Sequence, residues 1–336
     1  MELSVLIPSY QRPEKLLRCL HQLLPQLDSS RHEILVGVDG GEDPGLPDSI
    51  QDQIRINLFE KIGYIAVRQA LMEQARGRVV LWLNDDSYAS SGFLGAHLGA
   101  HVGPNARIVI GRTSWMPVQQ PTLFDRVVQE TDLVFFGQPQ AAQSTGLGFR
   151  DCYGLNMSFP RSLAERVGGV PDMPDVYGYD DIELAYRMIH NGADVIFEPG
   201  AEIVHDHRYD PVSVHRREYL LGRAAFAYAQ VNPQFTQDLL GIDLCSTDTA
   251  SRFEMAIELS WSDALRIEKR FLALDLLPSD SISAELLPMI PEHWVLLKRL
   301  LWRWGVLDAA RGIGPRWSLL RETSPESVLK PIANPV

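Results

Sequence analysis

Two adjacent acids, Asp85 and Asp86, follow the apolar run Val79-Val80-Leu81-Trp82-Leu83 and a single Asn84. A run of that length and content predicts a buried strand. In an open α/β sheet, ligands bind beyond the carboxyl ends of the strands, so the two acids fall at the lip of a crevice. Hard carboxylates there suit Mg²⁺ or Mn²⁺, and such ions commonly arrive with substrate phosphates. Read locally, the same acids could equally cap a helix or turn over residues 87–98.

Four further residues carry chemistry on similar terms. Asp181 lies in Gly178-Tyr179-Asp180-Asp181-Ile182-Glu183, at the first turn of a predicted helix. Asp180 and Glu183 fit a capping box, which leaves Asp181 available as a general base. His205 ends a short strand in His205-Asp206-His207, and a metal held by one or two acids has room for an imidazole. Asp39 ends a strand over 33–38 and can accept from a nucleobase or a ribose hydroxyl. Arg68 sits in a predicted helix, where it could approach a phosphate or pair with a strand-end acid. Each also has an ordinary reading, as a turn former, a surface histidine or a solvated arginine.

The elements that must position these groups follow from periodicity. Strands are predicted over 3–8, 33–38, 55–59, 79–83, 107–111 and 194–198. Helices are predicted over 13–27, with Pro13 in the first turn, and over 63–76, closed by Gly77. Strands alternating with helices call for a mostly parallel sheet. A less regular, glycine-containing region spans about 112–160, as functional loops often do. Beyond residue 211 only helices are predicted, near 217–231, 250–277 and 291–307. The expected division is a domain over 1–210, with halves near 1–105 and 106–210, and a helical region over 211–336.

Bulk properties narrow the function. The 336 residues carry a formal charge of −12, which excludes broad nucleic-acid affinity. Cys19, Cys152 and Cys245 are odd in number and widely spaced, so buried reduced thiols are expected. The N-terminus reads as a first strand rather than a signal peptide, and no segment is long and apolar enough to span a bilayer. A cytoplasmic protein is expected. The stretch 296–304 mixes apolar residues with Lys298, Arg299 and Arg303. It could lie on a membrane surface, pack as a core helix or form a homodimer contact.

Taken in order, these features resemble the family 2 glycosyltransferases. Ser4-Val5-Leu6-Ile7-Pro8-Ser9-Tyr10-Gln11-Arg12 is similar to the family's opening strand. Val36-Gly37-Val38-Asp39-Gly40-Gly41 resembles its acidic nucleotide-side segment, with Val38 replacing the first acid. Asn84-Asp85-Asp86 falls on the Asp-x-Asp motif, with Asn in the first place. Asn156-Met157-Ser158, Gly168-Gly169-Val170, Tyr179-Asp180-Asp181-Ile182-Glu183-Leu184 and His205 match later motifs. The resemblance covers about residues 3–210.

It implies a GT-A (Rossmann-like) α/β fold, with a mostly parallel sheet flanked by helices and a helical C-terminal extension. The activity it implies is inverting transfer of a sugar from a nucleotide-diphospho-sugar, with a UDP-sugar favoured, to an acceptor hydroxyl. Asp86 and His205 would hold Mn²⁺ or Mg²⁺. Pro8, Tyr10, Arg12, Asp39, Arg68 and Asp85 would face the donor. Asp181 would be the base, with Asn156, Tyr179 and Asp180 on the acceptor side. The alternatives are a non-catalytic module that binds nucleotide-sugars and a sugar nucleotidyltransferase, although the glycine-rich first loop of the latter class is missing here.

Overall fold

The computed structural model describes residues 1–134, 146–171, 173 and 176–329; part of the loop expected over 112–160 lies outside them. The described strands are β1 (Leu3–Ser9), β2 (His32–Asp39), β3 (Arg55–Phe59), β4 (Val79–Leu83), β5 (Ser87–Ala89), β6 (Arg107–Trp115), β7 (Asn156–Pro160) and β8 (Asp194–His205). They form one sheet in the order β3-β2-β1-β4-β7-β6-β8-β5. Strands β1 to β4 are mutually parallel, and β6 runs parallel to β8. Strand β7 runs antiparallel between β4 and β6, and β5 closes the edge antiparallel to β8.

The buried strands explain themselves. All residues of β1, β2 and β4 are buried, as continuous apolar runs covered on both faces should be. The helix Tyr64–Gln74 packs close over β2, because a Cβ on Gly37 would stand 2.4 Å from Val67 Cγ1. Strand order changes direction between β1 and β4, which both point their carboxyl ends to the same side. Such a switch point opens a crevice, and Ser9, Asp85 and Asp86 lie there.

Several elements differ from expectation. After Asp86 the chain forms the short strand β5 rather than a helix cap, because Ser87, Tyr88 and Ala89 pair with His205, Val204 and Ile203. The two strands expected before His205 are one twelve-residue strand, β8. Helix Pro13–Leu23 passes into a 3₁₀ turn at Leu24–Gln26, where Pro25 cannot continue the α-helical bonding. Cys19 and Cys152 are buried as expected, but Cys245 is exposed.

The chain forms two compact units. The first comprises Met1–Met116, Gln138–Asp175 and Asp180–His207, and contains the sheet. The second comprises Pro117–Gly137, Val176–Tyr179 and Arg208–Val336. In the second unit, helices Pro211–Val231 and Met289–Ala310 pack backbone to backbone at Gly222 and Gly305. A Cβ on Gly222 would stand 1.9 Å from the Trp302 carbonyl oxygen. Leu297, Leu300, Leu301 and Trp304 are buried. These four apolar residues of the stretch 296–304 are therefore packed inside the unit, while Leu296 and Trp302 are half-buried. Among the described residues, no helix is long and apolar enough to cross a membrane.

Candidate active site

Three chain segments meet at the carboxyl ends of β1, β4 and β8. Strand β4 delivers Asn84, Asp85 and Asp86, and β8 delivers His205 with His207 two residues on. Asp85 and Asp86 are almost fully buried, at 0% and 2% exposure. Asp86 Oδ1 stands 3.3 Å from His205 Nε2, and Asp86 Oδ2 stands 3.4 Å from His207 Nδ1. One ligand atom from each of these three residues lies within 4.8 Å of the others. The two imidazole rings are nearly parallel, with centroids 5.7 Å apart. One carboxylate and two imidazoles converging on one point suit a divalent transition-metal ion. His207 was not singled out in the sequence, where a lone His-x-His carries little weight.

The two acids differ electrostatically. Burial alone would raise the Asp86 carboxyl, but the hydrogen bonds from His205 and His207 and the Arg12 charge overcome it, holding the group far below the usual carboxylate range. Burial dominates at Asp85 and pushes it up to about 6, against Arg12 and the Ser9 hydroxyl. Ser9 Oγ donates to Asp85 Oδ2 at 2.7 Å. Arg12 spans both acids, with Nη1 2.6 Å from Asp86 Oδ2 and Nη2 2.6 Å from Asp85 Oδ1.

The helix Asp180–His190 supplies the second group of acids. Asp180 is buried and accepts from Arg68 Nη1 at 2.8 Å and from the Tyr64 hydroxyl at 2.7 Å. Asp181 Oδ2 accepts from the Gly154 amide, and its Oδ1 from the Ile182 amide, each at 2.8 Å. Its carboxyl is pushed up to about 6, first by burial and then by the neighbouring Asp180 charge, against those two amides and Arg68. The pair thus differs in its contacts: Asp180 is tied into ion pairing with Arg68, and Asp181 rests on two backbone amides.

Arg68 is central to this arrangement and sits differently from the expected phosphate contact. It is buried, and it donates to Asp180, to Asn84 Oδ1 at 3.0 Å and to the Gly154 carbonyl at 2.9 Å. Its guanidinium carbon also stands 4.7 Å over the Trp82 ring. This cation works inward: it links the residue before Asp85 to the residue before Asp181. Glu183 accepts from Arg187 at 2.7 Å, so the acids expected as a capping-box pair serve two different arginines.

On the nucleoside side, Asp39 is buried and accepts from Lys61 Nζ at 2.6 Å and from the amides of Ile62 and Gly63. Lys61 also stands 3.3 Å over the Tyr10 ring, and Tyr10 is exposed. Pro8 is buried within β1, opposite Gly37. Asn156, expected on the acceptor side, is buried in the sheet instead. It donates to the carbonyls of Arg112 and Ala201, and its Oδ1 lies 2.9 Å from His97 Nε2. Burial lowers His97 to about 4, so the network is neutral near pH 7. Tyr179 falls in the second unit with φ +68°, and its hydroxyl accepts from Trp302 Nε1 at 3.4 Å.

Comparison with known proteins bears on the fold that carries these residues. Residues 4–168 match the model of the family described as Glycosyl transferase family 2. Two curated relatives, validoxylamine A glucosyltransferases from Streptomyces hygroscopicus subsp. limoneus and subsp. jinggangensis, are each 27% identical over a 218-position alignment. Those alignments cover 56% of this chain and 48% and 52% of the relatives, so the chain spans about half the length of the curated relatives it matches. Among solved structures, a mannosyltransferase from Pyrobaculum calidifontis in complex with GDP-Man and Mn²⁺ shares the fold. It has a TM-score of 0.52 and 16% identity, over 92% of this chain and 86% of that one. The sheet with its flanking helices is a GT-A fold, and over residues 4–168 this chain is similar to glycosyl transferase family 2.

Proposed function

We propose that this chain transfers a sugar from a nucleotide-diphospho-sugar to an acceptor hydroxyl, with inversion at the anomeric carbon. The observation that carries the reading is the Arg68 bridge. One buried guanidinium ties Asn84, at the head of the strand-end acids, to Asp180, beside Asp181. A group suited to a metal-bound diphosphate and a group suited to proton abstraction therefore border one crevice of the first unit.

Asp86, His205 and His207 would hold the metal. Two nitrogen donors fit Mn²⁺ better than Mg²⁺, which prefers an all-oxygen shell. When bound, such an ion supplies Lewis-acid stabilisation of charge on the departing diphosphate. Asp39 and Tyr10 hold the nucleoside end. Asp181 accepts the acceptor's hydroxyl proton as that oxygen attacks, while Asp180 stays fixed by Arg68 and Tyr64. A single base acting opposite the leaving group supports inversion. UDP-sugars are the first donors to test. GDP-sugars come second, because the Pyrobaculum mannosyltransferase was solved with GDP-Man.

The test is donor hydrolysis by the purified chain with Mn²⁺, alongside Mn²⁺ and nucleotide binding. Asp181→Asn is expected to lower turnover by about 10²- to 10⁴-fold, the usual contribution of a general base, and to keep nucleotide binding. Normal turnover in that variant overturns the base assignment. Nucleotide-sugar binding without turnover in the unaltered chain would favour the non-catalytic module.

A further inference from the structure

The loop between β1 and the helix Pro13–Leu23 ends on Arg12, preceded by Gln11 in the left-handed region at φ +51°. Arg12 projects a forked cation across two different acids. Its terminal nitrogens each lie 2.6 Å from a carboxylate oxygen, one on Asp85 and one on Asp86. The acids are buried, whereas Arg12 keeps 38% of its side chain exposed. The Asp86 oxygen it occupies, Oδ2, is also the one facing His207. A cation that takes Asp86 as a ligand must therefore compete with Arg12. The half-buried side chain reaches solvent along its long stem, and a diphosphate is the partner a guanidinium fork matches best after a carboxylate.

We propose that Arg12 is an exchangeable counter-cation of the donor site. Without nucleotide it neutralises Asp85 and Asp86 and holds divalent metal off. With nucleotide it releases the acids and pairs with the diphosphate. The inference rests on Asp86 being a metal ligand. Its consequence is that metal and nucleotide bind as a coupled pair, each raising the affinity of the other by the same factor, and that Arg12 supplies part of this coupling.

The decisive measurement is Mn²⁺ affinity of the full chain, read from the electron paramagnetic resonance of free Mn²⁺, without nucleotide and with UDP or GDP. Arg12→Met is expected to bind Mn²⁺ about tenfold more tightly than the unaltered chain when nucleotide is absent, and to gain severalfold less when it is added. Unchanged or weaker Mn²⁺ binding by the nucleotide-free variant overturns the proposal. If Arg12→Met does not fold, Arg12→Lys keeps the charge but cannot fork across two acids. It must then bind Mn²⁺ more tightly than the unaltered chain, and equal affinity overturns the proposal. Asp86→Asn separates the two levels: if it retains full Mn²⁺ affinity, the metal assignment itself fails, whatever Arg12 does.

Discussion

Replacing Arg68 by Met tests how the two halves of the site are held together. Arg68 and Asp180 form a buried pair at 2.8 Å, with side-chain exposures of 5% and 2%. Removing the guanidinium strands the Asp180 carboxylate, with Tyr64 as its remaining donor among the bonds described above, and leaves Asn84 Oδ1 and the Gly154 carbonyl short of a donor. The chain's cheapest escape is to protonate Asp180. A solvated aspartate has a pKa near 3.9, so supplying that proton at pH 7 costs about 4 kcal/mol. This agrees with the ~3–5 kcal/mol typical of breaking a buried pair from one side. In the variant the folded-state pKa of Asp180 lies above its unfolded value. The penalty is therefore full at neutral pH and shrinks by about 1.4 kcal/mol for each pH unit down toward 4. Urea unfolding of Arg68→Met against the unaltered chain should show a loss of about 4 kcal/mol at pH 7, shrinking to about 1 kcal/mol by pH 5. Adding Asp180→Leu to Arg68→Met should recover much of the loss, since a buried pair can often be exchanged for apolar groups at little cost. A loss below about 1 kcal/mol at pH 7, or one independent of pH, would refute the reasoning.

Two further outcomes follow from the same contacts. As the proposed base Asp181 must be deprotonated, and its carboxyl is pushed up to about 6, so kcat/KM should fall about tenfold per pH unit below that point; a pH–rate profile flat down to pH 5 contradicts this. Gly222→Ala would drive a methyl to 1.9 Å from the Trp302 carbonyl oxygen. It should destabilise the second unit by about 1–3 kcal/mol or more, as overpacking does, and a thermal-unfolding midpoint equal to that of the unaltered chain would show that the two helices are not so tightly packed.

The parallel half of the sheet is legible in the sequence because β1, β2 and β4 are apolar runs separated by helical periodicity. The antiparallel insert is not. Strand β7 carries Asn156 and Ser158 inward, satisfied by His97 and His101, so it shows no hydrophobic signal. Strand β5 has three residues and exists only through its pairing with β8. Asp86 could be read as a strand-end acid and set beside His205, but its contacts with Arg12 and His207 could not. Arg12 lies 74 residues away in sequence, and Arg68 lies 112 residues from Asp180. Local pattern offers Arg68 a phosphate or an acid with equal ease. Only the packed structure shows that the acid has it.

The placement of β8 also bears on biosynthesis. His207 follows Asp86 by 121 residues, and β5, which carries the chain on from Asp86, has its ladder partner in β8. While the chain is being made, β1 to β4 can assemble early from near-neighbour segments, but the Asp86 carboxylate must wait for the ribosome to release residues beyond 207. Closing contacts of such long sequence separation is slow. The cluster of Asp86, His205 and His207 should therefore be among the last parts of the first unit to form, and a chain stalled before β8 would carry the two acids with Arg12 as a counter-charge.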